Sequence, residues 1–285
     1  MPPLITPDEL AAIAGDADVR ILDVTYFLDD PRCERALAGF EDGHVPGARF
    51  LSLATLADPK ADLPMTLPEA EAFAHAMSAV GVGHADRIVL YDRSPLHSSA
   101  RVWWMLRLFG ARHVALLDGG LEAWCAAGYP VATGPAGACE TPGLFVADAD
   151  LSRLRTLREM RGHVVAGDAQ LVDARSPGRF AGREPEPRPG VEPGHIPGAI
   201  NLPYGMMFES DGRWKSPQAI AAAFAAAGID PTRPMIASCG SGVTACVLAF
   251  GAERIDGAGT AAMPVYDGSW TEWGSDPSTP KAKDA

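Results

Sequence analysis

The chain has 285 residues, enough for two domains of ordinary size. Its 36 acidic against 24 basic side chains give a formal net charge of -12, which disfavours nucleic acid and anionic membrane as partners. No apolar run reaches the roughly 18 residues of a bilayer span, and the first residues, MPPLITPDEL, lack the basic start and apolar core of a secretory signal, so a cytoplasmic protein is expected.

In chain order, TPDELAAIAG reads as a helix with Thr6 as N-cap, Pro7 in the first position and acids in the first turn. VRILDV is an apolar strand with Asp23 near its end, and FEDGHVPGARF (40–50) follows it. DRIVLYD is a buried strand, SSARVWWMLRLFG a helix stopped by Gly110, and HVALLD the next strand, leading into DGGLEAW. The Gly- and Pro-rich ATGPAGACETPG reads as a linker. AQLVDAR, with Asp173, and VEPGHIPGAIN (191–201) then repeat the earlier strand and phrase. SPQAIAAAFAAAG has Ser216 as cap, Pro217 at the start and Gly228 as stop. PMIAS is a strand, Cys239 opens a loop, a helix starts at about Val243, and MPVYDGSWTEW matches the earlier DGGLEAW. The last dozen residues, ending SDPSTPKAKDA, read as disordered.

The matched phrases lie about 150 residues apart in the same order, far beyond the roughly 20 to 50 of a solenoid repeat, so they mark two homologous domains. The predicted division is 1–132, a linker at 133–147, and 148–285. Strands alternating with helices imply, in each domain, a mostly parallel sheet with helices on both faces, an α/β fold. Ligands of such sheets bind where strands end and helices begin. Cys239 occupies that place in the second domain.

The five cysteines (Cys33, Cys125, Cys139, Cys239, Cys246) are odd in number and form no CxxC or zinc spacing, which fits free thiols in a reducing compartment and no metal. The loop CGSGVTA admits two readings: a buried thiol beside a flexible turn, or a reactive sulfur ringed by main-chain N–H groups. Gly240 and Gly242 permit a tight backbone, Ser241 and Thr244 add hydroxyls, and the following helix adds its positive end. The strand–loop–helix setting favours the second: an anionic sulfur held by main-chain amides at the sheet's edge, open to solvent. Cys246 is expected in the core. His44 and His195 sit in the GHxPGA phrase of both halves and are expected to tie down a turn. Asp92 stands where Cys239 stands, so the first domain is expected to be catalytically silent and to form one wall of the cleft.

CGSGVTA, the two GHxPGA phrases, DGSW and the tandem arrangement resemble the rhodanese superfamily, in its tandem-domain sulfurtransferases and the branch that takes sulfur from 3-mercaptopyruvate. The likeness runs from about Ile21 to Trp273. It implies two rhodanese-like domains and a Cys239 persulfide passed to a thiol, thioredoxin among the candidates, or to cyanide. No cofactor is implied, and a monomer is expected. Gly240 and Ser241 replace the cations that suit thiosulfate, which favours a monoanionic keto-acid donor. The resemblance gives Cys239 and Ser241 catalytic roles. Gly240, Gly242, Val243 and Thr244 line the donor, and Arg179 and Arg188 in GRFAGREPEPR grip its carboxylate and carbonyl. Arg175 is expected to be structural. The nearby Glu184, Glu186 and Glu192 leave surface ion pairs as the alternative reading of these arginines. The family's acid and histidine in the first domain fall on Ala54 and Met65, so Ser241 is expected to act as a hydrogen-bond donor without a relay.

Thiosulfate as donor is the nearest alternative, and a sulfur-carrying or partner-binding module is the non-enzymatic one. A phosphatase on this fold needs an Arg six positions after the cysteine, where Ala245 stands. A dinucleotide Gly pattern is missing.

Overall fold

The computed structural model describes residues 1–137, 139, 142–255 and 262–284. The chain forms two compact units. The first comprises Met1–Lys60, Leu67–Asp150 and Ser210–Trp214; the second comprises Ala61–Thr66, Leu151–Glu209 and Lys215–Ala285. The described part of the expected linker belongs to the first unit, while its residues 138, 140 and 141 lie outside the described residues.

The first unit holds β1 (Leu4–Ile5), β2 (Val19–Asp23), β3 (Arg49–Phe50), β4 (Arg87–Tyr91) and β5 (Val114–Leu117), in the order β1-β5-β4-β2-β3. The second holds β6 (Leu154–Arg155), β7 (Gln170–Asp173), β8 (Ile200–Asn201), β9 (Met235–Ser238) and β10 (Val265–Tyr266), in the order β6-β10-β9-β7-β8. Every pairing within both sheets is parallel. The two orders match strand for strand, so the sequence repeat is a repeat of topology. Central strands such as β4 and β9 are buried along almost their whole length, as parallel strands covered on both faces must be.

Helix starts follow their caps. Thr6 accepts from Glu9 N–H, and Glu9 reaches back to Thr6 N–H, a reciprocal capping box ahead of Pro7–Ile13. Ser216 caps Pro217–Ala226, and Gly228 follows its end at φ 78. The helix expected from Val243 begins at Ala245. Cys246 and Val247 N–H bond three residues back, to Val243 and Thr244, so those two residues form a tight turn ahead of it.

The GHxPGA phrases act as expected. His44 and His195 Nδ1 each lie 2.8 Å from a carbonyl, of Phe40 and Phe180. Each ring stacks on that same phenylalanine at 3.9 Å.

The C-terminal tail is a correction to the sequence reading. His195 and Ala282 exchange backbone bonds of 2.9 Å each, Trp273 Nε1 donates to Pro280 O at 2.7 Å, and Lys281 Nζ lies 3.3 Å from Glu192. Thr279 is buried. These long-range bonds order a segment whose composition alone reads as disordered; Ala285 lies outside the described residues. Among the described residues no helix is long and apolar enough to cross a membrane.

Candidate active site

Strand β9 delivers Cys239 to the carboxyl edge of the second sheet, and the Gly268–Trp273 segment fastens it there. Cys239 N–H donates to Ser269 Oγ at 3.1 Å, and Cys239 C=O accepts from Trp270 N–H at 2.9 Å. Gly240 C=O accepts from both Thr271 N–H (2.9 Å) and Thr271 Oγ (2.6 Å). Ser269 Oγ lies 4.0 Å from Cys239 Sγ and donates to Tyr266 O at 2.8 Å.

The loop's amides point to a ligand. Gly240, Ser241, Val243 and Thr244 N–H donate to no protein acceptor among the described residues. Gly242 adopts φ 79, the left-handed conformation that its lack of a Cβ permits. Ser241 and Thr244, in the same loop, are nearly buried. Buried amides without acceptors are costly, so a loop that keeps several of them calls for an anion.

One expectation needs correction. Cys239 is only 1% exposed, so the thiol lies beneath its loop rather than open at the sheet's edge. The Ser269 and Trp270 contacts, which no local pattern announces, draw it in.

Ser269 stands at φ 49, a conformation that is costly for a residue with a Cβ. The matching residue in the first unit is Gly120, at φ 58, where a Cβ would meet Asp92 O at 2.4 Å. The serine is therefore held in a glycine's conformation with its hydroxyl against Cys239. Ser269→Ala strands a buried N–H and keeps the strain, an expected loss of about 1–3 kcal/mol. Ser269→Gly relieves the strain and should lose less. Urea unfolding midpoints of the two variants check the order.

The first unit carries the same loop with its own anion. Asp92 is the first residue after β4, as Cys239 is after β9, and its carboxylate accepts from Ser94 and Ser99 N–H at 2.8 Å each. Burial raises its pKa, against the pull of those bonds. The expected silent site thus has its amide cradle filled by a side chain, and a cavity of about 300 Å³ beside it is lined by Asp92, His97, Glu122 and Asp211 among others.

Burial pushes the His97 imidazole in this loop down to about 4. The folded state then binds fewer protons than the unfolded chain between about pH 4 and the unfolded value near 6.5. Stability therefore falls as pH drops through that window. His97→Asn, which tolerates the φ of 49 found there, should lose less stability between pH 7 and 4.5, by up to about 2 kcal/mol, in pH-resolved thermal melts. Asp23 and Asp92, raised by burial, act in the opposite sense and are common to both proteins.

Arginines complete the second unit's site. A Cβ on Gly240 would lie 3.0 Å from Arg179 Nη2, so that guanidinium rests on the loop. Arg179 Nε is buried with no acceptor. Arg188 Nη1 lies 3.3 Å from Thr271 Oγ1, the hydroxyl that also holds Gly240. The ion-pair reading holds as well: Arg179 Nη2 is 2.5 Å from Glu186 Oε2. Arg175 is structural as expected, fully buried against Asp173 at 2.7 Å and Glu186 at 2.8 Å. Cys246 is a core residue whose Sγ lies 3.1 Å from Gly242 O.

The sequence reading missed Glu186 as a bridge and Thr271, Ser269 and Tyr204 as neighbours of the loop. Burial, and after it the electrostatic effect of Cys239, raise the phenol of Tyr204. The DGSW phrase, which carries Ser269 where the matching DGGL of the first half carries Gly120, is the one signal that could have pointed to Ser269. All five cysteines are free. Among the described residues no His, Cys, Asp and Glu cluster suits a metal.

The Rhodanese-like domain model matches residues 6–127 and 156–276, one copy per unit, and the chain belongs to this family. It is 40% identical over 269 residues to the 3-mercaptopyruvate sulfurtransferase of Homo sapiens, covering 93% of this chain and 88% of that protein. It is 37% identical to the thiosulfate sulfurtransferase of Cricetulus griseus, covering 90% and 84%. The crystal structure of SseA from Escherichia coli, a 3-mercaptopyruvate sulfurtransferase, superposes with a TM-score of 0.84 at 31% identity, covering 95% of this chain and 99% of that one.

Proposed function

We propose that this protein moves a sulfur atom from 3-mercaptopyruvate to a thiol or cyanide acceptor through a persulfide on Cys239, releasing pyruvate. Its sulfurtransferase class rests on relatives of that activity at about 40% identity over most of the chain. The observation that carries the mechanism is the set of loop amides without acceptors around a cysteine, in contrast to the matching loop of the first unit, which folds its amides onto a carboxylate.

The Cys239 thiolate attacks the donor sulfur, an S–S bond forms and the C–S bond breaks. The electron pair leaves as the enolate of pyruvate, which takes the proton of the transferred sulfhydryl. The products are pyruvate and a persulfide anion, with charge conserved and no oxidant needed. Gly240, Ser241, Val243 and Thr244 cradle that anion through their amides, on a backbone that Gly242 allows to turn. Arg179 and Arg188 grip the carboxylate and stabilise the developing enolate oxygen. Ser241 donates a hydrogen bond to the donor. Attack by cyanide or a thiolate on the outer sulfur then restores the Cys239 thiolate. Free cysteines support a reducing compartment, in our reading the cytoplasm, where thioredoxin is a suitable acceptor.

Relatives named for thiosulfate keep that donor as a second reading. The uncharged Gly240 and Ser241 speak against a dianion. Incubation with 3-mercaptopyruvate should release pyruvate and add one sulfur atom to the Cys239 peptide by mass. Absence of both, with turnover on thiosulfate intact, would replace the first reading by the second.

A further inference from the structure

We propose that Glu186 is a positioning residue that fixes Arg179 over the Cys239 loop and thereby sets the affinity for the donor's carboxylate. The inference rests on the donor reading above and adds a residue to which that reading gives no role.

The geometry is a chain of four alternating charges. Asp173, at the end of β7, receives Arg175 Nη2 at 2.7 Å and Nε at 3.1 Å. Arg175 also donates to Gly194 O at 2.8 Å, and its guanidinium carbon lies 4.7 Å from the Trp270 ring centroid, so it is pinned from several sides. Its Nη1 then holds Glu186 Oε1 at 2.8 Å. The other oxygen of Glu186 takes Arg179 Nη2 at 2.5 Å. The Glu186 side chain is only 4% exposed, while Arg179 keeps 24%. The immovable end of the chain is thus Arg175, and the end that reaches the loop is Arg179.

Two features separate this from an ordinary surface pair. The same Nη2 that Glu186 holds lies 3.0 Å from the Cβ position of Gly240, so the carboxylate fixes the guanidinium where it meets the loop. Arg179 Nε, buried and without an acceptor, shows that the pair leaves donor capacity unspent. A donor carboxylate can use that capacity only if the guanidinium stays in this orientation.

Glutamine at 186 can accept from one arginine, but its amide N–H₂ then faces the other guanidinium, donor against donor. Arg179 should swing away. With 3-mercaptopyruvate as varied donor and cyanide as acceptor, Glu186→Gln should raise the donor KM about tenfold and lower kcat by no more than Arg179→Ala does, with the cyanide KM unchanged. In an Arg179→Ala background the same substitution should leave the donor KM where it was, because the two residues act as one unit. A purely structural role would instead lower the active fraction, and with it kcat, in both backgrounds. Glu186→Asp keeps the charge but is one methylene too short to span both arginines. It should give an intermediate KM, and it carries the same test if the glutamine variant does not fold. An unchanged donor KM, or an equal rise with and without Arg179, overturns the role of Glu186 while leaving the donor reading in place. No turnover of 3-mercaptopyruvate by the wild-type protein overturns both.

Discussion

Cys239→Ser is expected to cut pyruvate release from 3-mercaptopyruvate by more than about 10³-fold, with the melting temperature held within about 2 °C. The fold should tolerate the change because the residue's tertiary bonds are made by its backbone. Its N–H goes to Ser269 and its carbonyl takes Trp270 N–H, and a serine keeps both. The side chain is nearly isosteric and 1% exposed, so no cavity of consequence opens. The chemistry should not tolerate it. A serine hydroxyl is scarcely ionised near neutral pH, and an oxygen cannot form the S–S bond that stores the sulfur. Cys246 lies seven residues on, but it sits inside the helix Ala245–Glu253 with its Sγ against Gly242 O, outside the ring of open amides, so it offers no substitute. Pyruvate assays and intact-mass spectra after donor exposure check both halves of the expectation. Wild-type pyruvate release by the serine variant would remove Cys239 from the mechanism.

Much of this architecture is legible in the sequence because it is written in local chemistry. Thr6 with Glu9, Ser216 with Pro217, and Gly228 announce helix ends through groups a few residues apart. The repeated GHxPGA phrases show the duplication, and the sheets repeat it strand for strand. Asp92 in place of Cys239 foretells a first-unit loop closed on a carboxylate, and Arg175 two residues after Asp173 foretells its ion pair. What stays hidden depends on partners distant in sequence. Ser269 reaches Cys239 across 30 residues, Thr271 reaches Gly240 across 31, and no window of sequence holds both ends. Glu186 is within sight of its arginines, but composition cannot tell a solvated acid from one 4% exposed between two guanidinium groups. The tail misleads in a similar way: the backbone of Ala282 is tied to His195, far off in sequence, and that of Pro280 to the Trp273 indole.

Arg175→Ala should be the most destabilising single change in the second unit, at about 3–5 kcal/mol near neutral pH. Asp173 and Glu186 are 3% and 4% exposed; this guanidinium is the cation on Asp173 and one of the two on Glu186, whose other partner is Arg179. Removing it leaves Asp173 without its cation and Glu186 with Arg179 alone, both in a poorly solvated place. It also opens space beneath Trp270, whose ring the guanidinium covers. The pH dependence separates charge from volume. A buried acid without its cation has a folded pKa above its unfolded value, so the folded state binds more protons than the unfolded one in that window. Stability of the variant then rises as pH falls towards the unfolded carboxylate range near 4. The difference between variant and wild type should therefore shrink by about half or more between pH 7 and pH 4.5. Arg175→Met fills the volume without the charge and should recover less than the acid does. Urea unfolding of the three proteins at both pH values measures this. A variant–wild-type gap that is flat with pH would mean that packing against Trp270, and not the charge taken from Asp173 and Glu186, carries the loss.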